Sequence, residues 1–583
     1  MGKTSVDPIT LSTVWHSLLS ICREMRYDIE RTSQSYLISQ LHDISVGIWD
    51  AQGRTVAVPI GLPSQYLGGK FSVRYILDKF AGRIYPGDVF LNNDPYKGYC
   101  NHLPDWGFFR PIFYGDRLLF FTLARGHQMD TGGAYPGGYF PNAYDIHAEG
   151  IMIPPIKVFE RGKERGDVLE LIWNNVRWPE AVRVDNYSLI AATQTCENRI
   201  VGLVEKYGVE TILACVEEMM NRMETAVRAE IAKIPDGVYT GESATDDDGT
   251  ELDVPVWVRC DITVEGDEIT IDYSRSDPQR KGFVNNVFIA SYSRGVASAF
   301  LFLDTALADY HNEGSMRPIT VVAPEGTVVN AKYPSTVGAS PVSVGCQLME
   351  ATTMAMSKAL PHRAIAPWGR HRGHYIFGVD PRSGERYVQT TFDADGSAGA
   401  VHGYDGYAGA ATFTTLGNVT RGNAEEVEIR YPWRIVKYEF ARDLMGAGRW
   451  RGGPGTDWEA MNEGSEAGIA TGSSDGESTV GMGLLGGEPT PLSVTFIVQG
   501  DAKSRLKSHR MAKVQPADRV HKLSGGGAGV GNPKEREPEK VLDDVLDELI
   551  SLEAARDVYG VAINPETLEI DWDATRGLRS RPS

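Results

Sequence analysis

Three histidines stand beside acidic residues within one short stretch of this chain: His102-Leu-Pro-Asp105, His127-Gln-Met-Asp130 and Asp145-Ile-His147-Ala-Glu149. Imidazole nitrogens together with carboxylate oxygens make the donor set of a zinc- or manganese-like ion that keeps positions open for water. The two HxxD pairs flank an apolar segment, Leu118 to Ala124, which reads as a buried strand. Ligands at strand ends converge in space although 25 residues separate His102 from His127. A single loop histidine is usually solvated and chemically idle. Two HxxD pairs in one glycine- and proline-rich region, followed by a third histidine, point instead to a metal-centred active site.

The elements that must position these residues begin with a helical pattern over 8 to 42. There Leu11, Val14, Leu18, Ile21, Met25 and Ile29 recur at three- and four-residue steps behind Pro8. Asp43 closes that segment. Ser45 to Asp50 reads as a strand, Asp50-Ala-Gln-Gly53 as a turn and Arg54 to Val58 as the return strand of a hairpin. Asp43 thus lies where helix hands over to strand, a place from which polar side chains enter clefts. Residues 86–155 are strand and loop, 165–234 helical, and 237–282 short alternating strands. Helical character returns at 290–310 and 343–360. The last third is glycine-rich, with strands near 434–440 and 492–498, a flexible loop at Ser524 to Gly531 and a charged helix over 537–558. The expected fold is a multi-domain mixed α/β (α+β) body. Its expected parts are 1–235 (the metal-site domain with a helical segment), 236–430 (a middle α/β domain) and 431–583 (a glycine-rich region with a terminal helix).

Length and composition bound the function. A chain of 583 residues exceeds one simple core and implies two to four domains. Nothing approaches the ~20 uninterrupted apolar residues of a membrane span, and the N-terminus has no apolar signal-peptide core. Six cysteines, at 22, 100, 196, 215, 260 and 346, are scattered without a CxxC and suit a cytoplasm. The net charge of −19 argues against nonspecific nucleic-acid binding. Gly2-Lys3-Thr4 lacks the upstream glycine of a Walker A loop, and Gly525 to Gly531 lacks a following lysine. There is no GxGxxG behind a strand. The chain therefore shows no nucleotide site of its own. A further pair, His371-Arg-Gly-His374, sits between glycines with no carboxylate close in sequence, so it reads as a loop.

Ordered motifs run through nearly the whole chain: Asp7-Pro-Ile-Thr-Leu11, Asp43-Ile-Ser45, Asn93-Asp-Pro-Tyr96 leading into His102-Leu-Pro-Asp105, and His127-Gln-Met-Asp-Thr-Gly-Gly133. Behind them come Glu149-Gly150, Ile153-Pro-Pro155, Asn175-Val-Arg177, Asp246-Asp-Asp-Gly249, Gly446-Ala-Gly-Arg-Trp-Arg-Gly-Gly453 and Ser524 to Pro533. In these the chain resembles the hydantoinase B / 5-oxoprolinase family. It departs from the family pattern at Lys97-Gly-Tyr-Cys-Asn101, at Arg275 where glycine is common and at His147 where glutamine is frequent. These departures bear on substrate identity more than on the metal.

The resemblance implies a divalent metal, zinc or manganese, held by residues drawn from Asp43, His102, Asp105 and His127, with Asp130 and His147 adjacent. It also implies a hydantoinase A-like partner that binds ATP, in a heterotetramer or larger assembly. The implied activity is ATP-dependent hydrolysis of a cyclic amide (lactam, hydantoin or 5-oxoproline). ATP-dependent carboxylation of a ketone, with bicarbonate, is the alternative within the family, and a noncatalytic scaffold is the alternative outside it. On the hydrolase reading Asp105 and Asp130 are the candidate catalytic carboxylates, one as general base. Tyr96 and Arg125 are candidates to orient substrate.

Overall fold

The computed structural model describes residues 6–59, 61–391, 395–410 and 412–580, with the side chains of 63 and 64 also outside the description. Gly2-Lys3-Thr4 therefore lies outside the described residues. The architecture is mixed α/β and separates into two compact units, residues 1–239 with 260–348 and residues 240–259 with 349–583. The chain leaves the first unit near the expected boundary at 235 and comes back to it at 260, so the two units interleave along the sequence. Long-range bonds hold the returning segment: Val337 and Gly338 amides donate to the Glu149 carboxylate at 2.7 and 2.9 Å.

The first unit is built on helix α1 (Pro8–Thr32), α2 (Tyr36–Ser39), α3 (Pro63–Tyr66), α4 (Gly69–Lys79), α5 (Gly166–Trp173), α6 (Pro179–Tyr207) and α7 (Val209–Ile231) around one antiparallel sheet. Its strands are β1 (Ile44–Asp50), β2 (Thr55–Ala57), β3 (Val89–Asn92), β4 (Asp105–Tyr114), β5 (Arg117–His127), β6 (Ile156–Glu160) and β7 (Lys163–Glu164), in the order β2-β1-β5-β4-β3-β6-β7. The apolar stripe of α1 (Val14, Leu18, Met25) and the inner face of α6 (Leu189, Cys196, Ile200) cover one side of the sheet at Val46, Phe108 and Ala124. Val73 and Ile76 of α4 cover the other at Trp49, Phe109, Phe121 and Leu123. Burial on both faces explains why β5 reads as a continuous apolar run rather than an alternating one.

Helix α1 starts where Asp7 accepts the Thr10 amide at 2.9 Å and Pro8 occupies the first turn. The expected helix to residue 42 stops at Thr32. The cause is tertiary: Asp185 on α6 accepts the Gln34 and Ser35 amides at 2.7 and 3.2 Å, which draws the backbone out of the helical ladder. His42 then takes a left-handed φ of 58° and turns the chain into β1.

The second unit carries two further sheets. One joins Trp433–Ala441, Gly455–Asn462, Arg519–Ser524, Val494–Gln499 and Ala502–Arg505; the other joins Arg386–Thr390, Arg372–Val379, Ala467–Ser474 and Met511–Val514. The expected helix at 537–558 is broken into Pro538–Leu546 and Leu552–Asp557, with Glu548 left-handed between them. The segment Ser524 to Gly531, expected to be a flexible loop, is buried. Gly446 donates to the Gly527 carbonyl at 2.8 Å and Ala528 to the Pro367 carbonyl at 2.9 Å. A Cβ at Gly527 or Gly529 would fall 2.1 or 2.0 Å from a backbone oxygen, so these glycines serve close backbone packing. All six cysteines are buried, and none of them forms a disulfide. No described helix is long and apolar enough to cross a membrane.

Candidate metal centre

Antiparallel order brings the start of β1, the end of β5 and the start of β4 to one edge of the first unit's sheet. Asp105 is directly opposite His127 in the β4–β5 register, and the His127 amide donates to the Asp43 carbonyl at 3.1 Å. His102 occupies the turn that enters β4. These four residues are the ligand set the family resemblance implied, and the fold brings His102, Asp105 and His127 to one point with Asp43 beside His127.

His102 Nε2 lies 3.3 Å from Asp105 Oδ1, and His127 Nδ1 lies 3.6 Å from the same oxygen and 3.5 Å from Asp43 Oδ2. One ligand atom from each of His102, Asp105 and His127 falls within 4.8 Å of the others. Tetrahedral ligands at ~2.1 Å from zinc stand about 3.4 Å apart, so this spacing fits one first-row ion. His102, Asp105 and His127 are all but fully buried, and Asp43 is 9% exposed. His102 Nδ1 meets the Gly338 carbonyl at 2.8 Å. A carbonyl only accepts, so Nδ1 carries the proton and the Nε2 lone pair faces the centre.

Each carboxylate is oriented by its own amide. Asn101 Nδ2 donates to Asp105 Oδ2 at 3.1 Å, and Gln65 Nε2 donates to Asp43 Oδ1 at 2.8 Å while reaching Asp105 Oδ1 at 3.3 Å. Burial would raise the Asp105 carboxyl, but the two histidines outweigh it and hold the group well below the ordinary carboxylate range. Burial lifts Asp43, and the like charge of Asp105 adds to the rise against the pull of His127. His127 is raised although burial opposes it, because Asp105 and Asp43 face it. Among the described residues no lysine or arginine forms an ion pair with Asp43 or Asp105. Two carboxylates and two imidazoles facing one point without a cationic side chain are a donor set suited to a divalent ion.

Two nominated residues lie outside this cluster. His147 is exposed on a short 3-10 turn, with Nε2 at 3.0 Å from the Tyr333 hydroxyl. Its neighbour Asp145 caps that same turn through the His147 amide, so the D-x-H-x-E spacing serves local structure. Asp130 has both oxygens engaged: Arg177 reaches them through its side chain at 2.9 Å and its amide at 2.8 Å, and the Gly132 and Gly137 amides complete the set at 3.1 and 3.4 Å. A carboxylate so committed organises the loop and is no general base. Cys100 donates its thiol to the Asp105 main-chain carbonyl at 3.0 Å, and burial lifts its pKa to about 11. Tyr96 is tied to the Ser335 carbonyl at 2.5 Å. Arg125 donates to the main-chain carbonyl of Gln65, also at 2.5 Å.

The pair His371 and His374 forms no second centre. In the second unit His371 Nδ1 meets Asp395 Oδ2 at 2.5 Å, while His374 Nε2 contacts Thr495 Oγ1 at 3.1 Å. Gln65 escaped sequence reading altogether, and Asn101 entered it only as the last residue of the departing loop Lys97 to Asn101. Neutral amides carry no spacing signature, and only the fold sets them against the carboxylates.

The family model for hydantoinase B/oxoprolinase matches residues 7–533. The chain is 31% identical to the caprolactamase subunit beta of Pseudomonas jessenii over 99% of both chains. The crystal structure of the ATP-dependent caprolactamase from Pseudomonas jessenii superposes with a TM-score of 0.91 at 30% identity, covering 99% of this chain and 100% of that one. A nucleotide-free acetone carboxylase shares the fold with a TM-score of 0.90 at 19% identity, over 98% of this chain and 82% of the other. With its motifs matched in order along nearly its entire length, this chain belongs to the hydantoinase B/oxoprolinase family.

Proposed function

We propose that this chain is the metal-bearing catalytic subunit of an ATP-dependent cyclic-amide hydrolase, acting on a lactam, hydantoin or 5-oxoproline-type ring. The observation that carries this reading is the buried cluster of His102, Asp105 and His127, whose donor atoms stand at one-ion spacing, with Asp43 beside His127 and no cationic side chain among the four. Asp43 and Asp105 would supply oxygens, and His102 Nε2 and His127 Nδ1 nitrogens, to zinc or manganese. When bound, such an ion supplies Lewis-acid polarisation and acidifies water.

The chain's own residues then hold that chemistry in place. Gly338 fixes the His102 tautomer, Asn101 and Gln65 fix the carboxylates, and β1, β4 and β5 exclude bulk water from below. Asp105 is a ligand on this reading, and the general-base role, open between Asp105 and Asp130 from sequence, has no support at Asp130, whose oxygens are taken up by Arg177 and backbone amides. An unstrained cyclic amide resists attack because of its resonance. A phosphoryl group placed on its carbonyl oxygen by an ATP-binding, hydantoinase A-like partner removes that resonance and gives this site an activated carbon. The caprolactamase relative is itself named a subunit, which supports the need for a partner.

The test is to co-purify the chain with that partner and supply ATP, a panel of 5-oxoproline, caprolactam and hydantoins together with acetone and acetophenone, and labelled bicarbonate. Ring opening with no label in the product is the expected result. Label retained in a carboxylated product would establish a ketone carboxylase instead, and turnover unchanged in His127→Ala would establish a scaffold role for the cluster.

A further inference from the structure

The two amides that orient the carboxylates have ends that remain unused. Ionised carboxylates only accept, so the bonds to Asp43 and Asp105 fix which end of Gln65 and of Asn101 is the nitrogen. The other ends, Gln65 Oε1 and Asn101 Oδ1, are buried and have no hydrogen-bond partner among the described residues. Gln65 is 4% and Asn101 1% exposed. Each carbonyl oxygen lies one amide width, ~2.2 Å, from a nitrogen that touches a carboxylate of the centre. Two orphaned acceptors therefore rim the site. Buried polar atoms without partners are rare in native proteins and mark a missing water, ion or ligand.

Gln65 is held firmly enough to select. Its main-chain carbonyl accepts from the buried guanidinium of Arg125 at 2.5 Å, which pins the short helix α3 over the strand that ends in His127. Its side chain cannot rotate without breaking the bond to Asp43.

The complementary ligand presents a hydrogen-bond donor next to the group that meets the metal centre. A small-ring amide does this. The ring forces the cis geometry, so the carbonyl oxygen and the N–H lie on one edge, ~2.3 Å apart between oxygen and nitrogen. A cyclic ketone has a methylene at that place, and a lactone an oxygen that would oppose the orphaned acceptor. Sites with a buried polar group set to pair with a substrate donor reject analogues that lack it.

We infer that Gln65, supported by Asn101, is the specificity-determining acceptor that reads the ring N–H of a cyclic amide. This rests on the metal-centre reading above and adds to it the basis for choosing amides over ketones.

The test is calorimetric titration of the full chain, prepared with zinc, using rings matched in size. One set is ε-caprolactam, ε-caprolactone and cycloheptanone; the other is 2-pyrrolidinone, γ-butyrolactone and cyclopentanone. A lactam is expected to bind at least ~10-fold more tightly than the lactone and ketone of its own ring size, the worth of one buried hydrogen bond. That ratio is expected to fall toward one in Gln65→Met, a variant of similar length. Equal binding of the three ring types by the wild-type chain would overturn the inference, and so would absence of lactam binding. Persistence of the lactam preference in folded Gln65→Met and Asn101→Ala would do the same. If Gln65→Met fails to fold, the wild-type ring series decides alone. Zinc content is measured separately by mass spectrometry. A chain that takes up no zinc yet keeps the N–H preference contradicts the metal reading while supporting this one, and a zinc-loaded chain without the preference does the reverse.

Discussion

Both units bury clusters of histidine and carboxylate, yet the two clusters are built for opposite ends. In the second unit Arg370 stands 3.1 Å from Glu350 and 3.5 Å from Asp475, Arg372 meets Glu477 at 2.7 Å, and Lys522 lies 3.6 Å from Asp395 opposite His371. Each of these four carboxylates faces a guanidinium, an ammonium or an imidazole, and Asp475, Glu477 and Asp395 also accept backbone amides while Glu350 accepts the Ser243 hydroxyl. In the first unit Asp43 and Asp105 form ion pairs with imidazoles alone and accept side-chain hydrogen bonds from amides, with the buried Arg294 guanidinium within electrostatic reach of Asp105 but not paired to it. Burying charge is costly unless it is paired. The second unit meets that cost within the protein, whereas the first leaves two negative charges and two lone pairs for a cation from outside. The contrast separates a structural charge network from a binding site better than the histidine count does.

The largest expected effect comes from removing a donor at the open cluster. His127→Ala or Asp105→Ala should weaken metal affinity by more than ~100-fold, since even residues that merely orient ligands are worth 10–100-fold. Competition with a zinc chelator reads this directly, and the fold should persist by circular dichroism. The mirror experiment is Asp395→Ala in the closed cluster. It strands Lys522 and His371 without their shared carboxylate and should cost about 3–5 kcal/mol in chemical denaturation, with metal affinity unchanged.

A third, smaller effect is pH-dependent. Burial raises Glu149 in the first unit to about 7, and burial with Asp246 nearby raises Asp475 in the second to about 7. Between about pH 4.5 and 7 the folded chain keeps protons on these carboxyls that the unfolded chain has lost. Stability should therefore fall as pH rises through that window and level off above it, by up to ~1.4 kcal/mol per pH unit for each group. Denaturation curves of Glu149→Gln and Asp475→Asn should each show a flatter slope. The smallest effect is expected from His147→Ala, which should leave metal content intact and change stability by no more than ~0.5 kcal/mol.

Much of the centre was readable before the fold was known. HxxD at a strand entrance and HxxD at a strand exit suffice to place His102, Asp105 and His127 together once the strands pair antiparallel, whereas Asp43 joined them only through the family resemblance, its helix-to-strand position being equally compatible with facing water. His147 and Asp130 carried equally good local patterns. Whether such a carboxylate or imidazole faces a centre or caps its own turn depends on φ and ψ over a few residues, and on a distant partner such as Arg177. The interleaving of the units was not legible either, because it rests on bonds such as Glu149 to Gly338 across 189 residues. The glycine run before Asn532 looked like a flexible loop by composition, yet its glycines allow backbones to meet. Periodicity records burial along one element and says little about which remote chain lies against it.

The central claim is that one divalent ion sits between β1, β4 and β5, and anomalous X-ray diffraction at the zinc edge from crystals grown with zinc tests it most directly. The account predicts a single strong peak at about 2.0–2.2 Å from His102 Nε2, His127 Nδ1 and the carboxylates of Asp43 and Asp105. No peak at that point, or a peak elsewhere in the chain, would contradict it.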